Sequence, residues 1–488
     1  MTLKSKLYAI VFASFIVRVV AFFALPSKES GFAPDEGNYG ALTEWIAQSK
    51  PADEYPYTSL YLISRSLIVP ASLLNRLGFS GLDSVRIISS LYGLLATILA
   101  VHFLLKVNTS LQEVSKFISS NPKKIVFLFA IFSFLPSNMA WSFVGLRDSA
   151  MNFWVLSVFL IIFYVFTIRG ISLKLASIGM LIAIPLVFSS RPQVGWVVGV
   201  TLLIYFLIKI RVKASQILIP ITLIGIVSGY VATTAFSIES TEVFVAHKEL
   251  IESSPSTNAT ATASPTATAS PTATSSPTSA TQAEFDASVF CKTEGQEVIV
   301  QDVKFLCAKE IEKKSIVGLK NPGVVLIDQA EAVPQRHEAN KFGAASAIKT
   351  LTCPLSGESR TQKYLCIAYR APYTTYTFLF RPMLGTDVTS SSSLFAATEN
   401  IFWLTSFTFI IIIFIRNRKL AFFGPLAPSL LFFSIYSVAA GASEGNMGTA
   451  FRHKSLILWV VLLLIASTIV ATQQRKAERE GISGPSQE

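Results

Sequence analysis

The sequence predicts an all-α polytopic membrane protein with about ten transmembrane helices, interfacial helices in its first outer loop, and a small disulfide-bonded extracytoplasmic domain. Three observations carry this. Apolar residues make up 51% of the 488-residue chain and charged residues only 15%, which is the composition of an integral membrane protein. Apolar runs near the ~20 residues that a bilayer-crossing helix needs recur along the chain. Lys and Arg fall in short clusters between those runs, which assigns the net charge of +11 to topology rather than to a nucleic-acid surface.

The candidate spans are Leu7–Leu25, Ile87–Leu105, Ile125–Trp141, Ala150–Ile168, Leu173–Phe188, Pro192–Ile208, Ile217–Phe236, Leu394–Ile415, Leu420–Ala440 and Ser455–Ala471. With the N-terminus in the cytoplasm, Lys4, Lys6, Lys106, Lys123, Lys124, Arg169, Lys174, Lys209, Arg211, Lys213, Arg416, Arg418, Lys419 and Arg475 share one side, as the positive-inside rule requires. Both termini are then cytoplasmic, and the first span reads as an uncleaved anchor. The chain divides into an N-terminal transmembrane module with catalytic outer loops (1–236), a Ser/Thr/Pro-rich linker (237–284), an extracytoplasmic Cys-containing domain (285–392), and a C-terminal transmembrane module with a basic tail (393–488).

In the first outer loop, Tyr39, Leu42, Trp45 and Ile46 follow Asp35 and Glu36 at helical spacing, predicting a short amphipathic helix at the interface. Ser59–Leu77 is apolar but carries Arg65, Pro70, Asn75 and Arg76. A second interfacial or re-entrant helix fits it, because a full crossing would invert every later loop. Ser253–Thr281 repeats Ser, Thr, Pro and Ala and cannot bury enough apolar surface to fold. Beyond it stand the chain's four cysteines, Cys291, Cys307, Cys353 and Cys366. An oxidising compartment makes two disulfides the natural reading. The local pairs Cys291–Cys307 and Cys353–Cys366 are preferred among three connectivities, with a metal site as the rival.

The predicted orientation brings Asp35, Glu36, Arg147, Asp148, Arg191, Arg381, Glu444, Arg452 and His453 to helix ends on one membrane face. Each alone has a bland reading as a solvated cap or interfacial anchor; the concentration of acids and arginines on one face is what argues for a site. His102 reads as a packing residue. Glu399 and Asn400, inside a span, fit either a carrier groove or a structural polar pair.

An N-terminal span followed by an acidic pair and an aromatic in the first outer loop, then interfacial helices, resembles the GT-C superfamily of integral membrane glycosyltransferases, in the protein O-mannosyltransferase and aminoarabinose transferase branch. The resemblance covers roughly the first 210 residues, with Asp35-Glu36 matching the first acidic motif and Asp148 in Leu146-Arg147-Asp148-Ser149 matching the second. It implies transfer of a sugar from a polyprenyl-phosphate donor to an acceptor hydroxyl on a glycan, lipid or protein. Asp35, Glu36 and Asp148 would be the catalytic carboxylates. Asp35 would serve as general base, and the others would orient the acceptor or stabilise oxocarbenium charge. Arg147, Arg191, Arg381, Arg452 and His453 would bind the donor phosphate, a task suited to the planar guanidinium. Direct attack inverts the anomeric carbon. No motif demands a cofactor, no metal ligands are assigned, and a divalent metal is left open. A polymerase or ligase of lipid-linked envelope glycans would share these residues, and a non-enzymatic scaffold would tolerate loss of Asp35. A transporter should show internal repeats and midplane polar groups, which this sequence lacks.

Overall fold

The computed structural model describes residues 2–24, 34–51, 61, 64–110, 122–168, 171–234, 237–248, 297–300, 303–316, 360–385, 387–388, 391–416, 427–443, 447–458 and 461. The Ser/Thr/Pro tract, Glu444, Cys291, Cys353, most of the last expected span and the basic tail lie outside them. The chain forms two units, one of residues 1–235 with 318–488 and one of residues 236–317.

The larger unit is helical. Its elements are α1 (Leu3–Ala24), α2 (Pro34–Ala47), α3 (Arg65–Arg76), α4 (Gly81–Ser110), α5 (Pro122–Phe134), α6 (Pro136–Phe143) and α7 (Asp148–Phe163), which runs into a π-helical turn, Tyr164–Ile168. Then come α8 (Leu173–Phe188), α9 (Pro192–Ile208), α10 (Lys213–Thr234), α11 (Arg360–Phe380), α12 (Ser391–Arg416), α13 (Ala427–Ser443) and α14 (Met447–Lys454). Among the described residues, Leu3–Ala24, Gly81–Lys106, Asp148–Phe166 and Lys213–Ala232 are long and apolar enough to cross a membrane, and α5 with α6 forms a fifth candidate bent by 44°. Leu173–Phe188, Pro192–Ile208 and Ala427–Ala442 are shorter apolar helices. Phe12, Val20, Phe127, Leu207, Ile224 and Val227 are exposed on this bundle, as side chains facing lipid would be.

Pro136 causes the α5–α6 bend: a residue preceding proline is driven out of the helical region, and Leu135 sits at ψ 130°. Because Pro136 has no N–H, Ser137 carries the first unpaired donor of α6. Glu399 of α12 satisfies it, accepting from Ser137 N at 2.7 Å, Ser137 Oγ at 2.5 Å and Trp403 Nε1 at 2.9 Å. Of the two readings of Glu399, this favours the structural acid. His102 stacks on Tyr164, with ring centroids 6.1 Å apart.

The two helices expected in the first loop are present as α2 and α3. Tyr39 and Leu42 of α2 pack with Leu67, Ile68 and Ala71 of α3 and with Val85 and Ile88 of α4 in a small core. That core holds the first acidic motif against the bundle. At the other end of the chain, α11 runs antiparallel to α13: Gly441 abuts the backbone of Thr374 and Thr375, and Phe378 packs on Tyr436. A Cβ on Gly441 would lie 2.8 Å from Thr375 N. Gly441→Ala should therefore destabilise by about 1–3 kcal/mol, the cost of overpacking a close helix pair, seen as a lower thermal midpoint in detergent.

The smaller unit is a three-stranded antiparallel sheet of order β1-β3-β2, formed by Ser237–Lys248, Val303–Ile316 and Glu297–Val300. The β1–β3 register runs from Ser237↔Ile316 to Lys248↔Phe305. Val243 and Val245 give β1 the β-branched content that suits a pleated surface. Two expected boundaries shift. The first residues assigned to the linker are a paired strand, and α11, assigned to the Cys-containing domain, belongs to the helical unit. Cys366 on α11 is disulfide-bonded, and Cys307 lies on β3.

Candidate functional site

The site forms where the first turns of α2, α7 and α9 meet the end of α14. Asp148 is the first residue of α7, where a carboxylate suits the positive end of the helix dipole. Its side chain is fully buried between two guanidinium groups: Arg191 Nη2 lies 3.0 Å from Oδ1 and Arg452 Nε 2.6 Å from Oδ2. Arg452 reaches on through Nη1 to Asp35 Oδ2 at 3.0 Å, so one arginine bridges the two acidic motifs. The Asp35 side chain is 49% exposed. It is the carboxylate of this cluster that a substrate can approach.

Neighbouring groups fix this arrangement. Arg191 stands in extended conformation just before Pro192 at the start of α9, and the preceding Ser190 Oγ is 2.6 Å from Ser66 Oγ of α3. Arg147 and His453 both act electrostatically on Asp148. His453 is held through its carbonyl, which accepts from the Tyr436 hydroxyl at 3.2 Å. The Arg452 guanidinium lies 5.9 Å from the centre of the Trp141 ring, a cation–π distance. Burial opposes the charged form of Arg452, but the Asp148 and Asp35 carboxylates outweigh it and hold its pKa above the ordinary value. Burial pushes the Arg147 guanidinium down.

Three guanidinium groups and His453 surround two carboxylates, so the cluster carries excess positive charge. It also has donors to spare. Arg452 Nη2, Arg191 Nε and Trp141 Nε1 are buried and have no hydrogen-bond partner among the described residues. Buried donors left unpaired are costly, and N–H groups of this kind pair well with oxyanions.

Two residues grouped with the site by sequence have other placements. Glu36 is fully buried and accepts from Arg86 Nε at 2.5 Å and Arg86 Nη2 at 3.3 Å. Adjacent positions on a helix point about 100° apart, so Asp35 faces outward while Glu36 faces α4. Its carboxylate is held by Arg86 and lies against the turn before α7. Gly145 crosses directly over it at φ +39°, and a Cβ there would sit 3.1 Å from Glu36 Oε1. Arg381 pairs in bidentate fashion with Asp387, whose Oδ2 also accepts from the Met383 amide at 2.8 Å. The hydrogen bond from Arg381 holds the Asp387 carboxyl below the usual carboxylate range, against the effect of burial. A depressed carboxyl stabilises the folded loop above its unfolded pKa and loses that contribution as the pH falls through the folded pKa. Amide exchange at Met383 should therefore be slow near neutrality and accelerate as the pH drops below the carboxylate range, once corrected for intrinsic exchange.

Sequence reasoning missed Tyr39, assigned only to an apolar face. It is buried, burial raises its phenol pKa, and it senses Arg147, Arg452, Asp35 and Asp148, so it stands as a protonated hydroxyl beside the cluster. Arg86 and Arg18 were also overlooked. Their signal was a charge inside an apolar run, and Arg18 is buried with Nε donating to Ser142 Oγ at 3.0 Å. Among the described residues no group of three or more His, Cys, Asp or Glu converges as metal ligands would. Neither a family model, nor a curated protein, nor a solved structure matches the chain.

Proposed function

We propose that this protein transfers a sugar from a polyprenyl-phosphate donor to an acceptor hydroxyl at the extracytoplasmic face of a membrane, with inversion at the anomeric carbon. The reading includes the ten-span topology with both termini cytoplasmic. The observation that carries it is the single Arg452 side chain joining an accessible carboxylate, Asp35, to a buried one, Asp148, beside unpaired arginine donors.

In this scheme the donor phosphate takes the free N–H groups of Arg452 and Arg191, with Arg147 and His453 adding positive charge. The acceptor oxygen attacks the anomeric carbon as Asp35 removes its proton. The bond from the anomeric carbon to the phosphate oxygen breaks, and the electron pair leaves with the phosphate, stabilised by the guanidinium groups. Asp148 serves by aiming Arg191 and Arg452. Its burial keeps it from the acceptor, which separates its role from that of Asp35.

The test is transfer of label from a panel of radiolabelled polyprenyl-phosphate sugars in membranes with and without the protein. A single added sugar of inverted configuration supports the transferase. A ladder of products points to a polymerase, retention of configuration rules out the direct displacement, and no transfer from any donor removes the reading.

A further inference from the structure

Helix α11 ends deep among its neighbours, since its last turn lies beside Tyr436, about 10 Å along the axis from the end of α13 at the α-helical rise of 1.5 Å per residue. The last carbonyls of a helix have no partner within it, and burying them without one is costly. Here the carbonyls of Leu379, Phe380 and Arg381, at and just past the end of the helix, are satisfied from other elements. Lys454 Nζ donates to Leu379 O at 3.3 Å, to Arg381 O at 2.6 Å and to Asn400 Oδ1 at 2.5 Å. Asn400 Nδ2 in turn donates to Phe380 O. Three successive carbonyls are thus taken by one ammonium and one amide, and the positive charge complements the negative end of the helix dipole. Lys454 itself is fully buried, with its donors committed.

A lysine needed only as a cap could stand on any facing helix. This one closes α14, two residues after Arg452, and α14 is only eight residues long. The same short helix is pinned at His453 O by Tyr436, and Ser455 Oγ donates to Arg452 O at 2.6 Å. We propose that Lys454 is a positioning residue: by seating the end of α14 on the carbonyls of α11 and on Asn400, it fixes Arg452 where that side chain bridges Asp35 and Asp148. The carboxyl end of α11 is then part of the apparatus that sets the arginine, and α11 also carries the disulfide-bonded Cys366. The seat stands on geometry alone; its consequence for the donor rests on the transferase reading above.

The experiment uses the full chain in detergent, with Lys454→Met and, in case that variant does not fold, Asn400→Ala, which removes one acceptor of the lysine and the amide donor to Phe380 O and leaves the lysine. Hydrogen exchange is followed in peptides spanning residues 447–457 and in α7. Loss of a buried, fully bonded donor should raise exchange in 447–457 by about 10-fold or more while α7 is unchanged, with a smaller rise for Asn400→Ala. Donor KM should rise by a similar factor and kcat should fall with it, because the guanidinium that binds the phosphate also stabilises it as it leaves, and Lys454→Met should add nothing further in an Arg452→Met background. A merely structural lysine would reduce the amount of active protein and leave KM alone. Unchanged exchange in 447–457 in both variants, or effects of Lys454 and Arg452 on donor KM that simply add, would overturn the proposal. A wild-type protein that transfers no sugar would defeat the transferase reading, and the exchange measurement would still decide the role of Lys454.

Discussion

Replacing Asp148 with alanine should cost about 3–5 kcal/mol of folding stability, the penalty for breaking a buried ion pair from one side. The side chain is fully buried and holds Arg191 and Arg452 together. Without it those guanidinium groups face each other in a poorly solvated pocket, with Arg147 beside them. The change should appear as a large drop in thermal midpoint, and donor binding should weaken because the arginines lose their aim. Asp148→Asn is the informative companion, since it retains the shape and removes the charge. If both variants melt within a degree of the wild type, the pocket is not the paired, desolvated cluster described here.

The second large effect belongs to Asp35. Asp35→Asn should leave the fold intact, because its side chain is half exposed and Arg452 keeps its bond to Asp148. The rate of transfer should fall by about 10²–10⁴-fold, the contribution of a positioned general base. Donor KM should move by no more than a few-fold, because the phosphate contacts lie on the arginines. Stability and catalysis thus separate between the two carboxylates: Asp148 carries the first and Asp35 the second. A transfer rate for Asp35→Asn within a few-fold of wild type would remove Asp35 as the base.

Local pattern carried much of this into view before the structure. The spacing of Tyr39, Leu42, Trp45 and Ile46 placed α2 and the face it buries, and the mixed composition of Ser59–Leu77 placed α3. Asp35, Arg147, Asp148, Arg191, Arg452 and His453 could be grouped because all stand at helix ends on one predicted side. What pattern could not supply was the identity of partners distant in the chain. Glu36 looks equivalent to Asp35 in a linear motif, and only the presence of Arg86 on α4, 50 positions away, turns it into a structural anion. Arg381 was grouped with the phosphate ligands because it stands where the sequence has the chain return to the membrane; its pairing with Asp387 depends on a loop closure no periodicity encodes. Lys454 and Asn400 were equally silent as a pair, since their meaning comes from the buried end of α11 that they share. The length of the expected spans is a separate matter. A helix broken at Pro136 and apolar helices of 16 or 17 residues meet the length requirement only with help from their flanks.

The central claim is that the cluster joined by Arg452 is a sugar-transfer site with Asp35 as its base. The most direct measurement is transfer of label from radiolabelled polyprenyl-phosphate donors in membranes carrying either the native protein or Asp35→Asn at matched expression. Product formed by the native protein and reduced by about two orders of magnitude or more in the variant is the expected result; equal product from both would contradict the account.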